Sequence, residues 1–386
     1  MAVRVLPLTD AAAVPKTATK ARLISIDALR GVAMVAMALD HAASSVRTSL
    51  QAESYGGQAA ILENWTHWVS GLFTNLAGPT FWLLSGISLA LFEVSRRKRG
   101  LSDWEITRFL LARASVLILL DLTICQWAWA GQGPYLHVLL SIGLGLALVS
   151  ILRLLPLSVL AVLMLAVLLG YQWLLPTIAP LLSQTSNFWL ALLLTYSTEI
   201  YPAVKYSILG WTTLMGLGFV LGRNIKSPIF HRPGTWVAIG TALLGGWFAL
   251  RLIGDFGDLT PYAAYTNAQW YHWFIMSKTP PSLSYQMFNL GLAALLLGVL
   301  SAREQLLQRP PAQWLVTAGQ VALFFFVAHI VVYGVLGRVV MTLDLPIPSM
   351  VKTYVVWLIG LAILIPIAQS YRSLRKQYPN SLLRYL

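Results

Sequence analysis

Runs of roughly 20 apolar residues alternate with short polar segments along almost the whole chain, and that is the length a helix needs to cross a ~30 Å hydrocarbon core. The runs fall near 26–46, 67–93, 108–130, 135–154, 157–175, 206–222, 235–254, 284–301, 314–337 and 352–370. The pattern predicts an all-α fold, a polytopic integral membrane bundle of about ten helices. Neither an internal repeat nor a second soluble domain accompanies it.

The polar segments orient the bundle. With the N-terminus inside, the inner segments hold Arg96, Arg97, Lys98, Arg99, Arg153, Arg223, Lys226, Arg232, Arg303 and Arg309, and the C-terminal end adds Arg372, Arg375, Lys376 and Arg384. The outer segments hold only Arg47, Lys205, Lys278, Arg338 and Lys352. Basic residues concentrate in cytoplasmic loops, so both termini are expected in the cytoplasm. The chain then divides into a disordered cytoplasmic tail over 1–22, a transmembrane domain over 23–371 and a basic cytoplasmic tail over 372–386. Asp10 and Pro15 interrupt the first stretch, which reads as a tail and not as a signal peptide. Two outer connections, 176–205 and 255–283, are long and rich in Trp, Tyr and Pro, as loops that carry function or cover a site often are.

Composition agrees. Apolar residues make up 57% of the 386 positions and charged ones 11%, too little charge for a soluble protein of this size. The net charge of +13 invites a nucleic-acid reading, but its confinement to the segments between spans excludes that partner. Cys125 is the one cysteine and lies inside an apolar run, so there is neither an internal disulfide nor a cysteine metal site.

The first run departs from the rest. Asp27 and Arg30 stand near its start and Asp40 and His41 near its end, and ionisable groups within a span are expensive and mark function. At ~1.5 Å per residue the steps from Asp27 to His41 cover ~21 Å, and at ~100° per residue Arg30 and His41 fall within ~20° of each other. One stripe therefore carries charge from near one membrane face to near the other. The orientation puts His41, His67, His137 and His272 at the outer face and His329 in the outer half of its span, leaving only His231 inside. Proton chemistry is thus expected toward the outside.

These residues suggest a family. Ser25-Ile26-Asp27-Ala28-Leu29-Arg30-Gly31 followed by Met37-Ala38-Leu39-Asp40-His41 resembles the first span of the heparan-α-glucosaminide N-acetyltransferase-like family, within a wider group of multispan membrane acyltransferases. Pro79-Thr80-Phe81 with Ser85-Gly86, Arg113 with Asp121, the segment 210–223, Arg251 with Gly257-Asp258, Lys278-Thr279-Pro280-Pro281-Ser282-Leu283, and Gly319-Gln320 with Phe324 to His329 resemble later blocks in the same order. The resemblance implies transfer of an acyl group, typically acetyl, from cytoplasmic acyl-CoA to a sugar amine or hydroxyl of a glycan or glycolipid on the far side of the membrane. It also implies a catalytic histidine near His67.

Such a transfer needs a base, a donor for the developing oxyanion and a pocket for the anionic coenzyme. His67 fits the first role, with His41 as the rival base and Asp40 as its neighbour. His67 shares a helix face with Gly71, Thr74, Gly78 and Ser85, which serves equally as a packing seam. Asn75 suits an oxyanion donor or an interhelical hydrogen bond. Arg30 and Arg113 suit coenzyme phosphates, with Asp27 an ion-pair partner of Arg30 that also fits a helix junction. Lys278, His329, Arg251, Asp258 and Asp121 are assigned to the acceptor side, although Lys278 equally suits a helix-end anchor and His329 a satisfied core histidine, and Asp121 is expected to meet an Arg, Lys or His from another span. The partners that follow are membrane lipid, an acyl-CoA co-substrate and a glycan acceptor, without a metal; a homodimer is compatible. The setting expected is a bacterial inner membrane. A secondary transporter is the main alternative, and a non-catalytic sensor the other.

Overall fold

The computed structural model describes residues 24–50, 52–55, 65–128, 135–182, 187–195, 197, 200–260, 262–265, 267–344, 346–378, 381 and 383. The expectation for residues 1–22 lies outside them. The helices are α1 (Ile24–Ser45), α2 (Trp65–Asn75), α3 (Ala77–Arg97), α4 (Asp103–Leu120), α5 (Gln126–Ala128), α6 (Val138–Leu152), α7 (Leu157–Leu182), α8 (Phe188–Leu194), α9 (Ile208–Asn224), α10 (Pro233–Ile253), α11 (Leu283–Ala302), α12 (Glu304–Leu307), α13 (Pro310–Gln320), α14 (Ala322–Leu343) and α15 (Ser349–Gln377). Four short strands, β1 (Glu53–Tyr55), β2 (Tyr135–Leu136), β3 (Ala203–Val204) and β4 (Met276–Thr279), pair in parallel as β1 with β4 and β2 with β3. The protein is an all-α membrane bundle. Among the described residues, seven helical segments are long and apolar enough to cross a bilayer.

Local signals start and stop these helices. Ser102 and Glu105 form a capping box at the head of α4, Ser282 accepts from Tyr285 N at the head of α11, and Pro233 opens α10. Gly254, at φ 81°, ends α10 in the left-handed conformation.

Charge in α1 is tolerable because other helices surround it. It packs against α2, α3, α11, α13, α14 and α15, so Asp27 and Arg30 meet protein and not lipid. Lipid tails are as apolar as leucine, so close packing and hydrogen bonds, not transfer from water, hold such helices together. α3 and α9 approach closely. At Gly86 a methyl group would overlap the Met215 carbonyl, so only glycine fits.

One end of the bundle is tied by charge. Oε1 of Glu93, fully buried in α3, accepts from Arg97 at 2.8 Å and from Arg153 at 2.9 Å, and its Oε2 accepts from Arg223 at 3.2 Å. Arg153 also donates to Asp103 at 3.1 Å. The ends of α3, α6 and α9 and the start of α4 therefore lie on one face, where the sequence expects the cytoplasm. The opposite end is closed by the loop after α10. There Arg251 pairs with buried Asp258 and donates to the Thr260 carbonyl at 2.6 Å and the His272 carbonyl at 2.5 Å.

Candidate functional site

A cavity of about 340 Å³ runs through the centre of the bundle between these two ends. Arg30, Arg113 and Arg375 line one end of it, and Asp40, His41, His137, Tyr206 and Lys278 the other. The wall between them is mostly apolar and includes Met34, Met37, Phe81, Leu110, Leu146 and Met215.

At the histidine end, Nδ1 of His41 and Nε2 of His329 lie 2.5 Å apart, and the two rings stack with centroids 4.7 Å apart. His329 does not line the cavity; it stands behind His41, fully buried in α14. Its own Nδ1 donates to the Phe325 carbonyl at 3.2 Å. A neutral His329 protonated on Nδ1 must accept at Nε2, so His41 donates from Nδ1 and Nε2 becomes its basic nitrogen. This tautomer follows from the hydrogen-bond network. The His137 ring lies 6.0 Å from that of His41. Lys278 and Lys205 are within electrostatic reach of His41.

At the arginine end, Arg30 donates to Asp27 at 3.0 Å, to the Gly319 carbonyl at 3.1 Å and to Ser88 Oγ at 2.8 Å. Gln320 donates to the other oxygen of Asp27 at 3.3 Å. Arg375 donates to the Gln320 carbonyl at 2.9 Å, so two arginines converge where α13 breaks at Val321. Arg113 makes no hydrogen bond or ion pair with another of the described residues. Arg375 and Arg30 lie within electrostatic range of it, an arrangement that favours an anion.

The structure thus gathers Arg30, Arg113, Asp40, His41 and Lys278 on one cavity, with Asp27 and His329 directly behind. Other expected residues stand elsewhere. His67 is half-buried on α2, and its Nδ1 donates to the Ser49 carbonyl at 3.0 Å. It shares a stripe with the cavity-lining Thr74 but lies two turns, ~10 Å, further along the helix. Asn75 does not line the cavity either. Its Nδ2 donates to the Ala52 carbonyl at 3.2 Å, and the Tyr285 hydroxyl donates to the Asn75 carbonyl at 3.1 Å, which makes it a tie between helices.

Arg251 and Asp258 fasten the outer loop instead of touching the cavity. Burial raises the Asp258 pKa above the ordinary aspartate value, and the Arg251 guanidinium works against that shift. Asp121 takes backbone N–H groups, not the side-chain cation expected for it. The sequence reading missed His137, placed at the outer face without a role, and Arg375, assigned to a tail. A histidine where an apolar run opens, at a helix-cap position, was the available signal for the first. For the second there was none, since only the fold brings α15 back to α13.

A model of the OpgC protein family matches residues 22–376. That match supports an acyltransferase-like family and not the heparan-α-glucosaminide member specifically. None of the curated proteins matches the chain.

Proposed function

The chain belongs to the OpgC protein family, an acyltransferase-like family of membrane proteins, and from that premise we propose that it moves an acyl group from acyl-CoA to a glucan hydroxyl. The donor approaches from the arginine end of the cavity and the acceptor from the histidine end. By the distribution of Lys and Arg, the arginine end faces the cytoplasm and the histidine end the outside, which in this reading is the periplasm.

The observation that carries this reading is the distance between the two ends. Arg30 and His41 are eleven residues apart on one helix stripe, ~16 Å along the axis. In a coenzyme A thioester, about twelve covalent bonds separate the pyrophosphate oxygen from the sulfur, equivalent to about four residues of extended chain, or ~14 Å. With its phosphates at the arginines, the thioester carbonyl therefore arrives beside His41. The apolar wall suits the intervening arm, and guanidinium groups suit phosphate because their planar forks bond it bidentately.

The chemistry follows from the tautomers. Nε2 of His41 removes the proton of the acceptor hydroxyl as its oxygen attacks the thioester carbonyl carbon. The carbon–oxygen bond forms, the carbon–sulfur bond breaks, and the thiolate leaves with the coenzyme. His329 fixes the orientation of His41 and stabilises the charged ring, as a second group behind a catalytic histidine does. Glucan offers hydroxyls and no amines, so the transfer is to oxygen. His67 has no part in this scheme.

The test uses purified protein in lipid nanodiscs with radiolabelled acetyl-CoA, offered either glucan oligosaccharides or glucosamine. Label is expected on glucan. His41→Ala should lose ~100- to ~10,000-fold of the turnover, while His67→Ala stays within a few-fold of the parent. Label on glucosamine alone, or loss with His67→Ala and not with His41→Ala, would refute the reading.

A further inference from the structure

Helix α6 begins without a cap of its own. Its N-cap residue is His137, whose side chain takes no hydrogen bond from the first turn, although Ser, Thr, Asp or Asn usually stands there to do so. The acceptor comes from another helix. Oδ2 of Asp121 accepts from the backbone N–H of His137 at 3.0 Å and from that of Leu140 at 2.9 Å. Leu140 is the third residue of α6, and its N–H is one that an N-cap side chain would otherwise take.

Asp121 reaches this place because α4 does not continue as an α-helix. At Asp121 it widens into a π-turn over Asp121–Cys125, a distortion that recurs at functional sites. The carboxylate is fully buried, and the positive end of the α6 dipole offsets its charge. One turn on, Gln126 grips the other side of the same segment. Its Oε1 accepts from Tyr135 N at 3.1 Å and its Nε2 donates to the Tyr135 carbonyl. The backbone of residues 135–140 is thus clamped at both ends by residues that do not line the cavity.

The clamp decides what position 137 can be. With the cap supplied from α4, residue 137 carries an imidazole that lines the cavity. The ring lies 6.0 Å from His41, with Tyr206 edge-on at 5.7 Å and Tyr135 at 5.6 Å.

We propose that His137 hydrogen-bonds the carbonyl oxygen of the acyl group during transfer, and that Asp121 and Gln126 are positioning residues that hold it there. This rests on the acyl-transfer reading above. His41 fills the base role in that reading, and the reaction also needs a donor where negative charge develops on the carbonyl oxygen. His137 comes from a different helix, and its ring is near enough to His41 for one thioester group to touch both.

The experiment measures kcat, KM for acetyl-CoA and thermal stability. His137→Ala should lower kcat ~100-fold, the scale of losing one oxyanion donor, with KM and melting temperature little changed. His137→Gln keeps an N–H donor and should recover part of the loss. Asp121→Asn keeps an oxygen able to accept both N–H groups and should stay near the parent, whereas Asp121→Ala should lose both kcat and stability. Pairing Asp121→Ala with His137→Ser gives α6 a cap of its own. That variant should regain melting temperature and not kcat.

Recovery of both would mean that Asp121 only stabilises a helix, and would overturn the proposal. So would a His137→Ala enzyme with the parent's kcat, which decides the matter even if Asp121→Ala does not fold. If the parent transfers no acyl group at all, the acyl-transfer reading falls and this proposal with it; turnover by the parent beside an unimpaired His137→Ala variant removes only the role of His137.

Discussion

Arg113→Gln should weaken donor binding without weakening the fold. In the free protein this guanidinium has no acceptor among the described residues, and its charged neighbours Arg30 and Arg375 repel it. Its removal therefore relieves like-charge repulsion and breaks no hydrogen bond to a described residue, so the melting temperature should hold or rise. Binding is the opposite case. A charge-assisted hydrogen bond to a partly desolvated phosphate contributes ~1.5–3 kcal/mol, which corresponds to a roughly 10- to 150-fold weaker Kd. Arg113→Lys keeps the charge but loses the planar fork and should fall between the two. Calorimetric titration with a non-hydrolysable acyl-CoA analogue gives the affinity, and a thermal melt without it gives the stability. A protein that melts lower while binding the analogue as before would refute the reasoning, because it would make Arg113 a structural residue.

Glu93→Gln should destabilise the bundle by ~3 kcal/mol or more, because it leaves the buried Arg153 without its closest carboxylate and loosens the ends of two other helices, α6 and α9; a thermal melt with an unchanged midpoint would contradict this. Single cysteines at Ala263 and Ser227, in a Cys125→Ser background, should react with an impermeant thiol reagent in intact cells at the first position and only after lysis at the second. The reverse pattern would invert the orientation drawn from Lys and Arg.

Much of this architecture is legible in the sequence because bilayer thickness imposes a run length that composition must obey. The polar stripe of α1 is legible for a related reason. Arg30 and His41 belong to one regular helix, so spacing alone fixes their separation and their common face. His67, the candidate base of the sequence, lies off the cavity, and sharing a stripe with the cavity-lining Thr74 says nothing about where along the axis the cavity stops. Asp121 and Arg251 show a second limit. Asp121 reads as an intramembrane charge seeking a cationic partner and Arg251 as an acceptor-side residue, yet one caps a neighbouring helix and the other pins a loop, and which group takes a charge is a tertiary fact. Arg375 is hidden for the same reason, being 345 positions from Arg30 in the chain and beside it in the fold.

The central claim is that one cavity joins a donor on the arginine face to an acceptor on the histidine face. It is tested most directly in sealed proteoliposomes holding the protein in a single orientation, with radiolabelled acyl-CoA on one side of the membrane and glucan oligosaccharide on the other. Labelled glucan should form when acyl-CoA meets the arginine face and glucan the histidine face, and should fail to form when the two are exchanged. Equal labelling in both arrangements, or labelling only with donor and acceptor on the same side, would contradict the account.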